Sequence, residues 1–206
     1  GGRGGGGGGG GEEGGGGGRE GVGGREGVGG RGGGGGRGGS EVGEGKGLVI
    51  GWRVTVAELG ASVEGQRRAR ALAEAADGVG SPQIRNLATV GGNLCQRPRC
   101  WYFRNSDAPC LKKGGYECFA YGGRNKYNAI LGGGPSYIVH PSDLAPALVM
   151  LEASVVLHSS QGQRKLPLSE MYVLPADGDV IRVTVLAADE GIGRVLVPPL
   201  AAGWRW

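Results

Sequence analysis

The chain has 206 residues, 50 of them glycine, and a formal net charge of +4. That length allows one domain of ordinary size, and the charge is too small for the broad basic face of a nucleic-acid binder. No apolar run approaches the ~20 residues that cross a bilayer. No apolar leader follows the N-terminus either, which points to a cytoplasmic chain with reduced thiols.

Residues 1–47 are glycine broken by Arg, Glu, Val and single Ser and Lys residues, with REGVGG occurring twice in succession. Such a tract has almost no apolar surface to bury, and ordering glycine backbone costs the most entropy. It is expected to be disordered. Its acidic and basic residues balance, so it reads as a flexible extension rather than an RNA-binding Arg-Gly tail. The foldable part begins at Leu48.

Residues 48–56, LVIGWRVTV, alternate well enough for a strand. A helix follows over residues 55–76, capped by Thr55 or Ser62 and stopped by Gly78 and Gly80. Residues 82–86 lead into a short extended piece at 87–90, which ends in Gly91-Gly92-Asn93. Two glycines there allow positive φ and a close approach of backbone to a ligand, and Asn93 can offer its amide. The stretch 95–118 holds too many breakers for regular structure, Pro98, Pro109, Gly114 and Gly115 among them. Further on, residues 128–131 look strand-like and 137–140 extended. Ser142 or Asp143 then caps a helix whose Leu144, Leu148 and Leu151 share one face. Strands are expected at 153–158 and 180–186, separated by a basic-polar turn at 161–165. The end from Gly191 has no clear period. His140 and His158 have no partner motif and read as core or surface residues. The order of elements is that of an α+β domain.

All four cysteines, Cys95, Cys100, Cys110 and Cys118, fall within the irregular stretch, spaced C-x4-C, C-x9-C and C-x7-C. Packing gives a buried cysteine no reason to seek three others. The paired C-x2-C of a zinc ribbon or finger is missing. Widely spaced cysteines on a long loop suit a cubane iron–sulfur cluster, with a zinc site or idle thiols as alternatives. Lys112 and Lys113 suit the balancing of thiolate charge or a solvated surface.

The run SPQIRNLATVGGNLCQRPRCWYFR, followed by C-x7-C and HPSDLAPAL, resembles the FAD-binding subunit of the molybdenum hydroxylases. These are the xanthine dehydrogenase and aldehyde oxidoreductase group. The branch it is most similar to carries an extra [4Fe-4S] cluster on an inserted loop, as in aldehyde oxidoreductases and 4-hydroxybenzoyl-CoA reductase. The resemblance runs from about Leu48 to about Leu186. It implies a flavoprotein fold of the PCMH/vanillyl-alcohol-oxidase type over residues 48–187, incomplete at both ends, with an irregular tail at 188–206. Thr89, Gly91, Gly92 and Asn93 would lie against the ribityl chain and diphosphate of FAD, with Ser142 and Asp143 near the isoalloxazine. Cys100, Cys110 and Cys118 would be cluster ligands. Such a subunit passes electrons from iron–sulfur centres to FAD and an acceptor. Its implied partners are a molybdopterin-binding large subunit and a [2Fe-2S] small subunit, with no nucleic acid and no membrane. A co-exported complex of this kind would place it in the periplasm.

The chain departs from the pattern in three places. A second diphosphate loop of the type GGTDL has no counterpart in the glycine tract, and the family's C-terminal domain is absent. The fourth cluster cysteine falls on Ser136 in one branch and about Tyr127 in the other, which leaves the fourth ligand to Cys95 or Ser136. These departures fit a fragment. Two other readings are a stand-alone zinc- or iron–sulfur-binding module and a non-functional truncated flavoprotein.

Overall fold

The structure, a computed structural model, describes residues 40–42, 47–176 and 179–200. All of them lie in one compact unit, Gly36–Trp206. Most of the glycine tract, and the closing WRW, lie outside the described residues.

A five-stranded antiparallel sheet with short helices confirms the α+β class. β1 (Ser40–Val42) pairs with β2 (Leu48–Gly51), so the stretch expected to be unstructured contributes an edge strand. β2 shows the expected alternation, with Leu48 and Ile50 buried. β3 (Ser154–Ser159) and β4 (Gly162–Pro167) form a hairpin, and β5 (Gly191–Val197) lies between β2 and β3. The order is β1-β2-β5-β3-β4.

Three expectations at this end of the chain are corrected. Residues 180–186 are not a strand. Asp179 turns the chain by accepting from the N–H groups of Ile181 and Arg182, and a single bridge joins Tyr172 to Thr184. The missing strand is β5, inside the tail expected to be irregular. Its register on β3 shifts between Val156 and Leu157, which leaves Gly193 as an extra residue. The bulge separates the buried Ile192 and Val195 by three positions rather than two, so no period of two is visible in GIGRVLV. A Cβ at Gly193 would meet the exposed His158 imidazole, so the glycine lets that ring lie across the bulge. The expected turn at 161–165 is most of β4, an edge strand exposed except at Leu166, with no apolar alternation to read.

The long helix expected over 55–76 is three short ones, α1 (Val56–Ala61), α2 (Val63–Arg68) and α3 (Arg70–Asp77). Thr55 does cap, in a capping box with Glu58. Ser62 breaks the run by taking the Gly65 N–H on its hydroxyl, at 3.1 Å. Ala69 makes the second break, with φ −148°. α4 (Pro82–Leu87) was not expected, although Ser81 as cap and Pro82 in the first turn spell a helix start. α5 (Val90–Leu94), α6 (Trp101–Arg104) and α7 (Leu144–Met150) complete the set. α1, α3 and α7 pack with the inner face of the sheet into one apolar cluster that includes Leu59, Leu72, Leu144, Leu148, Val155 and Val195.

Candidate functional site

The segment before α5 runs beside the end of β2. Val56 donates to the Ala88 carbonyl, Val90 to that of Val54 and Gly91 to that of Trp52, at 2.8–2.9 Å, and Thr55 bridges Thr89. Thr89 caps α5, its hydroxyl accepting from the Gly92 N–H at 3.1 Å. The expected glycine turn is therefore the start of a helix. Neither glycine has positive φ, and the N–H groups of residues 90–92 are all donated to protein acceptors.

The two glycines do different things. Gly91 is buried, and a Cβ on it would lie 3.1 Å from the Cβ and carbonyl oxygen of Trp52, so it lets α5 press against β2. Gly92 is exposed, and a Cβ on it would meet only the Thr89 hydroxyl, at 3.2 Å. The open approach to this turn is at Gly92.

Asn93 ties the turn to α7. Its Oδ1 accepts from the Ser142 hydroxyl at 2.6 Å and from the Leu144 N–H at 3.4 Å. The backbone N–H fixes which way the amide points, since only the oxygen can face it. The Asn93 Nδ2 donates to nothing among the described residues. Ser142 is 5% exposed and accepts from the Ala145 N–H at 3.0 Å, so it, rather than Asp143, carries the side-chain cap of α7. Asp143 is exposed and makes no cap bond. The four polar groups expected at this site thus divide. Ser142 and the Asn93 carbonyl hold two helices together, while the Asn93 amide nitrogen and the Asp143 carboxylate are left for something else.

His140 supports this junction. Its Nδ1 accepts from the Ser142 N–H at 3.3 Å and its ring lies 4.5 Å from that of Tyr172, whose hydroxyl donates to the Leu94 carbonyl at 3.4 Å. Burial lowers the imidazole pKa, more than the Leu94 carbonyl raises it. Nε2 is buried without a hydrogen bond. Sequence alone gave this residue no partner, because its contacts come from residues 94 and 172.

The cysteine loop is built on backbone. Gly115 donates to the Cys110 carbonyl at 3.0 Å and Leu111 to that of Glu117 at 2.9 Å, which brings Cys110 alongside the residue before Cys118. A Cβ at Gly115 would strike the Pro109 carbonyl, and Gly114 turns at φ 88°. Lys112 is fully buried, its ammonium donating to the Arg182 carbonyl at 2.5 Å. Burial and then Arg97 push its pKa down. Asn128 donates through Nδ2 to the Cys100 sulfur at 3.5 Å and to the Tyr137 carbonyl at 2.9 Å, and the Tyr137 N–H reaches the Cys118 sulfur at 3.5 Å. A cavity of about 370 Å3 opens beside Cys100 and Asn128 and reaches Pro141, next to Ser142. Among the described residues no three His, Cys, Asp or Glu side chains are gathered as they would be for a single metal ion. A cubane spreads its ligands over four irons and needs wider spacing. Cys95 is apart, at the end of α5. It is exposed as a whole residue, yet partial burial of its sulfur pushes the thiol pKa up.

Residues 41–200 match the model of the FAD binding domain in molybdopterin dehydrogenase, and the chain belongs to that family. In particular, it is 35% identical over 163 residues to the aldehyde oxidoreductase FAD-binding subunit PaoB of Escherichia coli (strain K12), over 78% of this chain and 51% of PaoB. It is 31% identical over 129 residues to the nicotinate dehydrogenase FAD-subunit of Eubacterium barkeri, over 62% of this chain and 28% of that protein. The chain therefore spans about half the length of the first relative and less of the second. Its fold is like that of a carbon monoxide dehydrogenase from Hydrogenophaga pseudoflava, with a TM-score of 0.51 at 24% identity over 80% of this chain and 41% of that one. Among the described residues no helix is long and apolar enough to cross a membrane.

Proposed function

We propose that this chain is the FAD-holding part of an electron-transfer subunit in a molybdenum-containing dehydrogenase. The observation that carries the reading is the Asn93–Ser142 bond between α5 and α7, with Gly92, the Asn93 amide nitrogen and Asp143 left unused at the same junction. These groups fit a flavin nucleotide. An amide donor suits a phosphate or ribityl oxygen, a carboxylate accepts from ribityl hydroxyls, and an uncovered glycine admits a bulky ligand. Bound FAD supplies reversible one- and two-electron transfer. The chain's own residues bind and orient it: Thr89 sets the start of α5, Gly91 seats it on β2, and Ser142 fixes the Asn93 amide. The substrate reaction belongs to a partner, a molybdopterin-binding large subunit, with electrons arriving through a [2Fe-2S] small subunit.

The same proposal includes an extra [4Fe-4S] cluster held by Cys100, Cys110 and Cys118. Three features support it. N–H groups converge on two of the sulfurs, as they do around bound clusters. A cavity lies beside Cys100, and a buried ammonium stands two residues from Cys110. The fourth ligand is Cys95 or Ser136.

Flavin titration of the full chain tests the FAD reading. Gly92→Val should weaken FAD binding by about tenfold or more while leaving the melting transition nearly in place, because Gly92 is exposed. Full affinity in this variant would take the ligand away from this turn.

A further inference from the structure

We propose that His140 is a positioning residue for FAD, which the chain binds while the imidazole is neutral and releases when the ring takes up a proton. The inference rests on the flavin reading of the α5–α7 junction. A chain of three groups carries it. The Ser142 N–H donates to His140 Nδ1 at 3.3 Å, and the Ser142 hydroxyl donates to Asn93 Oδ1 at 2.6 Å, which leaves the Asn93 amide nitrogen for the ligand.

An N–H can only donate, so Nδ1 is bare and the neutral ring carries its proton on Nε2. Nε2 is buried, with no hydrogen bond among the described residues. A phenyl ring would fill the same space against Tyr172 without burying an unpaired N–H. What the imidazole adds is the acceptor at Nδ1.

A solvent proton on Nδ1 turns that acceptor into a donor confronting the Ser142 N–H. Residue 142 must then shift, and the hydroxyl that fixes the Asn93 amide shifts with it. The segments around the ring offer few other titratable groups. They are Cys95 at the end of α5, Glu170 and Tyr172, and Asp143 at the start of α7, and both carboxylates are exposed. Burial raises the pKa of the Cys95 thiol and the Tyr172 phenol, which keeps both neutral in acid. Burial lowers the imidazole pKa, more than the Leu94 carbonyl raises it. FAD affinity is therefore full above the ordinary value of 6.5 and is lost as pH falls through the lower, folded value.

The test is FAD titration of the full chain by flavin fluorescence from pH 7.5 to 5, with melting at each pH and a proton NMR titration of the free chain. The native chain should lose affinity towards the acid end, by about tenfold, the scale of one hydrogen bond. His140→Asn keeps an oxygen acceptor that does not titrate, and should hold near-native affinity throughout. His140→Phe keeps a ring without the acceptor, and should bind about tenfold more weakly at every pH. In the free native chain the Ser142 amide resonance should follow the His140 ring through its titration, with the exposed His158 as internal reference. Parallel profiles in the native and His140→Asn chains overturn the inference, as does native affinity in His140→Phe. Should either variant fold poorly, a Ser142 amide that ignores the His140 titration overturns it in the native chain alone. These outcomes leave FAD at the junction. Absence of FAD binding from every folded chain at pH 7.5 removes the flavin reading itself, and this inference with it.

Discussion

Asn93 uses its two amide ends differently, and a single substitution separates them. Asn93→Asp keeps an oxygen for the Ser142 hydroxyl and the Leu144 N–H but replaces the outward donor with an acceptor. Because Asn93 is 3% exposed, the buried carboxylate should lower melting, and FAD affinity should fall by about tenfold or more, a loss of ~1.4 kcal/mol for each factor of ten. Asn93→Ala should cost stability as well, by about 1–3 kcal/mol, because two buried donors lose their acceptor. If the Asp variant binds FAD as the native chain does, Nδ2 has no ligand role. His140 adds a pH dependence. Its folded pKa is lowered, so below the ordinary value of about 6.5 the unfolded chain takes up a proton that the folded one resists. The stability it contributes is present above that pH and is lost as pH falls towards the folded value. Melting scans from pH 7.5 to 5 should show this loss in the native chain and a smaller one in His140→Gln. Equal slopes would remove His140 from the junction.

At the scale of elements, the β5 bulge makes a small demand. Gly193→Ala places a methyl group against the His158 imidazole, which is exposed and can turn aside, so it should destabilise by about 1 kcal/mol or less. The double change His158→Ala with Gly193→Ala should recover part of that. Additive losses in denaturant titrations would show that the two side chains do not meet. These elements also mark where the sequence is legible. Thr55, Ser81 and Ser142 are local caps, and each helix start is legible from a few neighbouring residues. α7 was read correctly because Leu144, Leu148 and Leu151 obey one period. β5 could not be read, because its pattern is broken by a bulge whose cause lies on another strand. For the same reason TVGGN announced a site while its division of labour stayed hidden. Which glycine packs on Trp52, and which amide end is taken by Ser142, depends on contacts distant in sequence.

Over the whole molecule, β5 is the strand that joins the others. Ending the chain at Glu190 would remove Ile192, Val195 and Val197 from the core and leave facing edges on β2 and β3. Such a chain should show no cooperative melting transition and should expose apolar surface to a hydrophobic dye. A sharp transition near that of the full chain would mean that β1–β2 and β3–β4 hold together without it. The site depends on the same assembly, since α5 rests on the end of β2 and α7 leads directly into β3.

The order β1-β2-β5-β3-β4 has a consequence for synthesis. The ribosome delivers two separate hairpins, more than a hundred residues apart in sequence, before the strand that unites them. Until then both hairpins present open backbone edges, a state in which neighbouring nascent chains can pair with the wrong partner. Closure of the sheet, and with it the final seating of α5 and α7, is therefore a late event in the life of each molecule. The Gly193 carbonyl of that last strand accepts from the Trp52 N–H at 3.2 Å, and the Trp52 carbonyl in turn accepts from Gly91, so the support under α5 is complete only when the final strand is in place.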